Sequence, residues 1–514
     1  MLSRSRMSDS RSPSRQASQV AGRKAGSIFT RLTLIFPVFT GALLLGGFLF
    51  AQKPANLFSF RFLPGALVVS RVQYDGNTFS DPTPYPYIFS ESTVSGVQGS
   101  IHLDQYLAVP HSPQIGSLAL PSGASGITTS FSSKSEGSLS LSPNGQYLTY
   151  MGYAGPDGSE GVSNSYDTGA GTNLQPPVTP AYDREVALIG ANASVTLQAE
   201  SNAYSGDNPR GAITTDGTTL YMAGNSDSTT YSGGTTGPGL TIGARLGQIG
   251  SSVSVELGVY TAADRPDESK KQHIKDSNFR GIGIYNGNLY VSKGSGGNGD
   301  DGVFQVENGK GNGLPTGTGN TIVKLFGAPA TDPVTSAVSP LTPFGFWFAP
   351  SPATPGAAAK GSPAIVVTNP TTVYVADEGY ANFDGSGDFI PDPMAGLEKW
   401  SLVNGTWQLL YTIQAGLNLY QPQTVPGYPV TTYTTGIRNM TAKVNGDGTV
   451  TIYAITGQYS TISGGEPDPT RLVAVTDTLS ATTLPAGEQF VTYQQSPAGQ
   501  VFRGVAFAPQ APKP

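Results

Sequence analysis

Phe502-Arg503-Gly504-Val505-Ala506-Phe507-Ala508-Pro509 is the stretch whose reading decides the fold. Behind an Arg-Gly pair it alternates in the manner of a strand, and it ends at a Pro, which cannot donate to a sheet ladder. Related stretches occur earlier in the chain, each followed by a turn and a second strand pattern. Here only residues 510–514 follow. The missing partner must come from elsewhere, and the N-terminal half supplies a candidate.

The earlier copies set the period. They are Ser135–Gly145 with Tyr147–Tyr153, Pro209–Gly217 with Leu220–Ala223, and Phe279–Gly287 with Leu289–Ser292. A more divergent copy is Phe344–Pro350 with Val373–Asp377, and a fifth is Ile437–Ala442 with Val450–Ala454. The Asn-Gly and Asp-Gly pairs between runs are hairpin turns, because both residues tolerate positive φ. Further strand patterns separate the copies. Each unit is therefore about four antiparallel strands in about 65–75 residues, longer at the fourth. That is the signature of a propeller blade. Ala66–Val72, Ser100–Ala108 and Ile115–Leu120 read as the three outer strands that complete Phe502–Ala508. The expectation is an all-β chain forming a single β-propeller of about six four-stranded blades over residues 57–511, closed by pairing of its two ends, which leaves no free sheet edge. Seven blades result if residues 351–436 hide one lacking the Arg-Gly opening.

Composition agrees with many short strands. Gly (66) and Pro (40) are abundant and charged residues make up only 12% of 514. The aromatic content of 10% argues against a disordered chain. There is no Cys, which excludes disulfides and thiolate chemistry. The net charge of −6 is uneven: residues 1–31 carry +6 and the remainder −12. So acidic a globular part is a poor match for nucleic acid, which needs clustered Lys and Arg.

Residues 1–31, rich in Ser and Arg, read as a disordered basic cytoplasmic segment. Residues 32–51 (LTLIFPVFTGALLLGGFLFA) are apolar over about the 20 residues that span a bilayer. With the basic flank held inside, the chain after Ala51 faces outward. Two readings remain open: a signal cut near Ala51, giving a secreted or periplasmic protein, and an uncleaved transmembrane helix that anchors it.

Ser135–Leu148 (SEGSLSLSPNGQYL), Arg210–Gly224 (RGAITTDGTTLYMAG) and the closing FRGVAFAP together resemble a group of exported bacterial β-propeller repeat proteins, over most of residues 60–510. The resemblance implies the fold and export, and no particular activity.

Two constellations carry chemistry. Arg210, Arg280, Arg438 and Arg503 recur before Gly, or before Asn in one copy, with Glu136 in the equivalent place and Phe344 in the fourth copy. On innermost strands they gather at one mouth of the channel, where guanidiniums can bind a carboxylate, phosphate or sulfate. The competing reading pairs each Arg with an acid or carbonyl of the neighbouring blade. The second is Asn382, Asp384, Ser386, Asp388 and Asp392, oxygen side chains at calcium-loop spacing with Gly387 at the sixth place. Pro393 stands where that loop needs its bidentate Glu, and Asp377 and Glu378 are nearby supplements. A solvated Asp/Gly loop is the alternative to Ca²⁺.

Little else suggests catalysis. His102, His111 and His273 lack ligand spacing, and no G-x-S-x-G elbow occurs. Trp347, Trp400 and Trp407 are expected between blades. The Gly-rich runs at 294–302 and 309–319 precede no helix, so they read as turns rather than phosphate loops. The leading expectation is an extracytoplasmic binding or scaffold module engaging an anionic small molecule, glycan or protein through loops at one face. The alternatives are a hydrolase or lyase acting on a polysaccharide, lactone or phosphoester, and a structural surface protein.

Overall fold

The computed structural model describes residues 60–74, 97–130, 135–165, 168, 181–225, 243–258, 278–294, 300–309, 313–329, 341–350, 371–460 and 468–512. These fall within one unit, Phe58–Pro514. The basic segment 1–31 and the apolar run 32–51 lie outside the described residues, as does His273. Among the described residues no helix is long and apolar enough to cross a membrane.

The chain is all-β in a propeller-like arrangement of sheets. Its first strands are β1 (Leu67–Gln73), β2 (Gln98–Tyr106), β3 (Gln114–Ala119), β4 (Ile127–Ser130), β5 (Leu139–Leu141), β6 (Tyr147–Ala154), β7 (Arg184–Gly190) and β8 (Val195–Glu200). Three four-stranded antiparallel sheets follow. They are β9 (Pro209–Thr214) to β12 (Ser251–Glu256) through β10 (Thr219–Gly224) and β11 (Ala244–Gln248); β13 (Ile282–Tyr285) to β16 (Thr321–Pro329) through β14 (Asn288–Lys293) and β15 (Asp300–Glu307); and β17 (Pro343–Phe348) to β20 (Thr406–Ile413) through β18 (Thr372–Asp377) and β19 (Gly396–Val403). A five-stranded sheet comprises β21 (Pro422–Gln423), β22 (Thr432–Val444), β23 (Thr449–Tyr459), β24 (Arg471–Thr478) and β25 (Val491–Gln495).

The last strand, β26 (Gln500–Phe507), pairs with β1, which pairs with β2, and β2 with β3. β4 is a strand the sequence did not announce. It bridges the start of β2 to the end of β6 and so merges two four-stranded groups into one nine-stranded sheet. Thr128 fixes it there by donating to the carbonyl of Gly155 at 2.9 Å.

Turn chemistry explains the hairpins. Asn286 and Gly287 have φ of 48° and 71°, the two-residue primed turn that matches strand twist. Asp216-Gly217 works differently. There only Gly217 is left-handed, and the Asp216 carboxylate accepts the Thr218 and Thr219 N–H groups at 2.8 and 2.7 Å.

The first strand of each group packs on the first strand of the next. β5 touches β26 and β9, β13 touches β9 and β17, and β22 touches β17 and β26. The glycines of the repeat permit this approach. A Cβ on Gly504 would lie 2.5 Å from Leu139 N, on Gly281 2.1 Å from Phe344 O, and on Gly345 2.7 Å from Arg438 O. None of these three glycines has positive φ, so the close backbone of the neighbouring strand is what requires them. Two of the three tryptophans pack between sheets, with Phe326 stacking on Trp400 at 4.5 Å and contacting Trp407 at 5.4 Å, while the ring of Trp347 lies against Tyr374 of its own sheet at 6.3 Å.

Candidate functional site: channel mouth and surface cleft

Between the first strands lies a cavity of about 330 Å³, walled by Leu139, Leu141, Ile284, Phe346 and Met440 among others. Arg280 reaches it. The repeated arginines do converge. Burial and mutual repulsion depress two of them: Arg210 falls to about 10, through burial first and the charge of Arg280 second. Arg438 is likewise lowered by burial, with Arg503 and Arg280 adding repulsion against the pull of Glu378. All four are buried, between 3% and 8% exposed, so none is presented to solvent.

Their partners are on the page. Glu378, at the end of β18, accepts Arg280 Nη1 at 3.2 Å and Arg438 Nε at 2.9 Å, one guanidinium on each carboxylate oxygen. Arg280 also lies over the Phe344 ring, 5.3 Å from its centroid. Arg503 donates to the Tyr74 hydroxyl at 3.2 Å. Glu136, 2% exposed, faces Arg210 and Arg503. It accepts Asn208 Nδ2 at 2.8 Å, the Thr129 hydroxyl at 2.9 Å, Ser130 N–H at 3.1 Å and the Tyr153 hydroxyl. Burial still raises its pKa, more than those contacts lower it.

Glu378, Tyr74, Tyr153 and Asn208 were not in the sequence-derived set, apart from Glu378 as a supplementary calcium ligand. The structure turns Glu378 toward the arginines instead. Asp377 is also spent, accepting the Thr342 N–H at 2.6 Å, the Thr342 hydroxyl and Gly379 N–H at 2.8 Å.

In the loop 382–392 three of the five candidate side chains, Asn382, Asp384 and Asp392, accept nearby backbone N–H groups. Asp384 accepts the N–H groups of Ser386 and Asp388 at 2.8 and 3.0 Å, and Asn382 accepts that of Phe383 at 3.0 Å. Asp392 accepts Met394 N–H at 2.9 Å and Tyr380 N–H at 3.2 Å. Among the described residues no three His, Asp or Glu side chains cluster as a metal site. The loop closes as a small hairpin, Phe383 bridged to Phe389.

That hairpin forms one wall of a second, larger cleft of about 790 Å³. Phe389 stands at its centre, with ring centroids of Phe383 at 4.5 Å, Tyr433 at 4.8 Å, Tyr420 at 5.3 Å and Tyr459 at 5.7 Å. Phe383 is 39% exposed and the other four rings are half-buried. Asp388, Gln414 and Gln421 complete the lining. Sequence reading missed this cleft because its rings come from two loops and two strands separated in the chain.

No protein-family model matches the chain, and no curated protein does. Solved structures similar to it include a hydrazine synthase from Kuenenia stuttgartiensis (12% identity, 70% of this chain and 73% of that one, TM-score 0.30). Another is a putative 6-phosphogluconolactonase from Bacteroides uniformis (11%, 82% and 99%, TM-score 0.28). A third is a polysaccharide lyase, an ulvan lyase (11%, 84% and 86%, TM-score 0.31).

Proposed function

We propose that this protein is a six-bladed propeller, closed by β26 on β1, that acts outside the cytoplasm as a binding module. The ring reading rests on the contacts between first strands, which run from β26 through β5, β9, β13, β17 and β22 back to β26. In this reading the nine-stranded sheet is two blades, β26-β1-β2-β3 and β5-β6-β7-β8, tied by β4. Residues 371–436 add no further sheet among the described residues, which favours six over seven. The apolar run 32–51 behind a basic flank supports export, either as a signal or as an anchor.

The observation that carries the binding reading is the contrast between the two cavities. At the channel mouth, Glu378 and Glu136 already occupy the positions an anionic ligand would take. The guanidiniums there serve as latches between blades, in keeping with their burial. The open cleft around Phe389 holds one exposed and four half-buried rings beside polar groups, the usual make-up of a ligand site.

Thermal-shift measurements on the full chain with saccharides, Pro-rich peptides and inorganic anions test this. Binding at the cleft predicts stabilisation by a saccharide or peptide, abolished in Phe389→Ala and kept in Arg280→Gln. Stabilisation by sulfate, phosphate or citrate alone, lost in Arg280→Gln, would return the site to the channel mouth.

A further inference from the structure

The cleft around Phe389 discriminates among ligands, and its chemistry points to one class. We infer that it binds a saccharide chain without acidic groups, neutral or amino-bearing. The inference rests on the binding reading above and names its ligand.

Three features carry it. The first is the ring arrangement. Four rings cluster about Phe389 with centroids at 4.5–5.7 Å, three of them tilted by 36–52° and Tyr459 edge-on, so that they form a faceted aromatic wall. Sugar rings expose C–H faces that pack against single facets of such a wall, while their hydroxyls project around the edge. A Pro-rich helix needs separate aromatic ridges about 9 Å apart, one per turn, whereas each of these rings lies within 5.7 Å of Phe389.

The second is the set of unspent polar groups at the rim. The hydroxyls of Tyr433 and Tyr459 and the side chains of Asp388 and Gln421 make no protein hydrogen bond among the described residues. Phenols and an amide can each donate and accept, and a carboxylate accepts twice over. A ligand rich in hydroxyls satisfies all of them.

The third is charge. Among the described residues the ionisable acids of the lining are Asp388 and Asp392, and no Lys or Arg lines the cleft. A uronate, sulfate or phosphate would enter beside carboxylates with no cation to meet it. Uncharged sugars carry no such penalty, and an amino sugar would be attracted.

Isothermal titration of the full chain against four hexasaccharides tests the inference: β-1,4-linked glucose, α-1,4-linked glucose, β-1,4-linked N-acetylglucosamine and α-1,4-linked galacturonate. A Pro-rich decapeptide is the fifth titrant. Binding of at least one of the first three is expected, weakened about tenfold or more by Phe389→Ala or Tyr433→Ala. Tyr459→Phe, which keeps the ring, should weaken it less, and serves as the check should an alanine variant melt early. Asp388→Asn should relieve the exclusion of galacturonate. Binding confined to galacturonate, or neutral-sugar binding untouched by all three ring substitutions, would overturn the inference. Peptide binding lost in Phe389→Ala would overturn the saccharide assignment while leaving the cleft as a binding site. Absence of binding by all five titrants would remove the assignment as well.

Discussion

Gly504 donates its N–H to the hydroxyl of Ser70 at 2.7 Å, across 434 positions of chain. The same hydroxyl donates onward to the carbonyl of Gly137 at 3.0 Å. One serine thus joins β26, β1 and the strand that opens the next group. The unit recurs: Gly281 N–H donates to Ser292 Oγ at 2.9 Å, and that hydroxyl donates to the carbonyl of Phe344. Ser70 and Ser292 are both fully buried, so neither relay competes with water. Ser70→Ala adds no bulk and removes both bonds, stranding a buried N–H and a buried carbonyl. Two unmet groups at about 1–3 kcal/mol each predict a clear fall in the urea midpoint with an unchanged slope. If the proposed ring is closed here, truncation before Val501 abolishes cooperative unfolding. A sharp native-like transition in the truncated chain would refute closure.

Glu378 is the second latch, and its loss should exceed that of any single arginine. Glu378→Gln leaves the guanidiniums of Arg280 and Arg438 buried together without their shared carboxylate. Breaking a buried ion pair from one side costs about 3–5 kcal/mol. The double variant Glu378→Gln, Arg280→Gln should recover part of that loss, because one stranded charge goes with its partner. Chemical denaturation of the three variants measures the coupling. Equal stability of all three would mean that the pairs contribute nothing to blade packing.

These two relationships mark how far the sequence could be read. The Arg-Gly stretches and their turns are local, so the strands, the period and the pairing of Phe502–Ala508 with Leu67–Gln73 were legible. The convergence of Arg210, Arg280, Arg438 and Arg503 was legible too, because equivalent positions on repeated strands must meet. What satisfies them was not. Glu378 lies 98 residues from Arg280 and 60 from Arg438, and nothing local distinguishes it from Asp377, which turns to Thr342 instead. In the 382–392 loop Asp384 and Asp392 cap backbone amides, a role their spacing did not announce. Spacing records which oxygens are near one another, and not which way they face.

Buried carboxylates predict a stability that falls with pH. Glu200 is fully buried, its oxygens have no hydrogen-bond partner among the described residues, and burial lifts it to about 8 even beside Arg245. Glu185 is lifted by burial and by the charge of Asp183 to about 7. Both hold their protons more tightly in the folded state than in the unfolded chain. Their contribution is therefore complete below the ordinary carboxylate range, and is lost as pH rises through about 7 for Glu185 and about 8 for Glu200. Where Glu200 alone titrates between states, the slope approaches about 1.4 kcal/mol per pH unit. Melting temperature should drop between pH 5 and pH 9, and Glu200→Gln should flatten the upper part of that curve. A flat profile in the parent protein, or an equally steep one in the variant, would contradict the assignment.

Asp384 links the loop to the cleft. Its carboxylate accepts the N–H groups of Ser386 and Asp388, and its own N–H donates to the Asp388 carbonyl at 2.8 Å. Those bonds set the turn that brings Phe383 against Phe389, and so build the cleft's aromatic wall. Asp384→Ala removes the cap, at about 1 kcal/mol of local stability, without touching the sheets. Global melting should change by a degree or less, while chymotrypsin cleavage after Tyr380, Phe383 or Phe389 becomes faster. Saccharide affinity should fall although Asp384 does not line the cleft. Asp384→Asn keeps an acceptor oxygen and should restore most of both effects, which separates capping from charge. Calcium discriminates further: a ligand role predicts that millimolar Ca²⁺ raises the melting temperature of the parent and not of Asp384→Asn, whereas the capping role predicts no shift in either. Slow proteolysis and full affinity in Asp384→Ala would show that the aromatic cluster holds the loop without its cap.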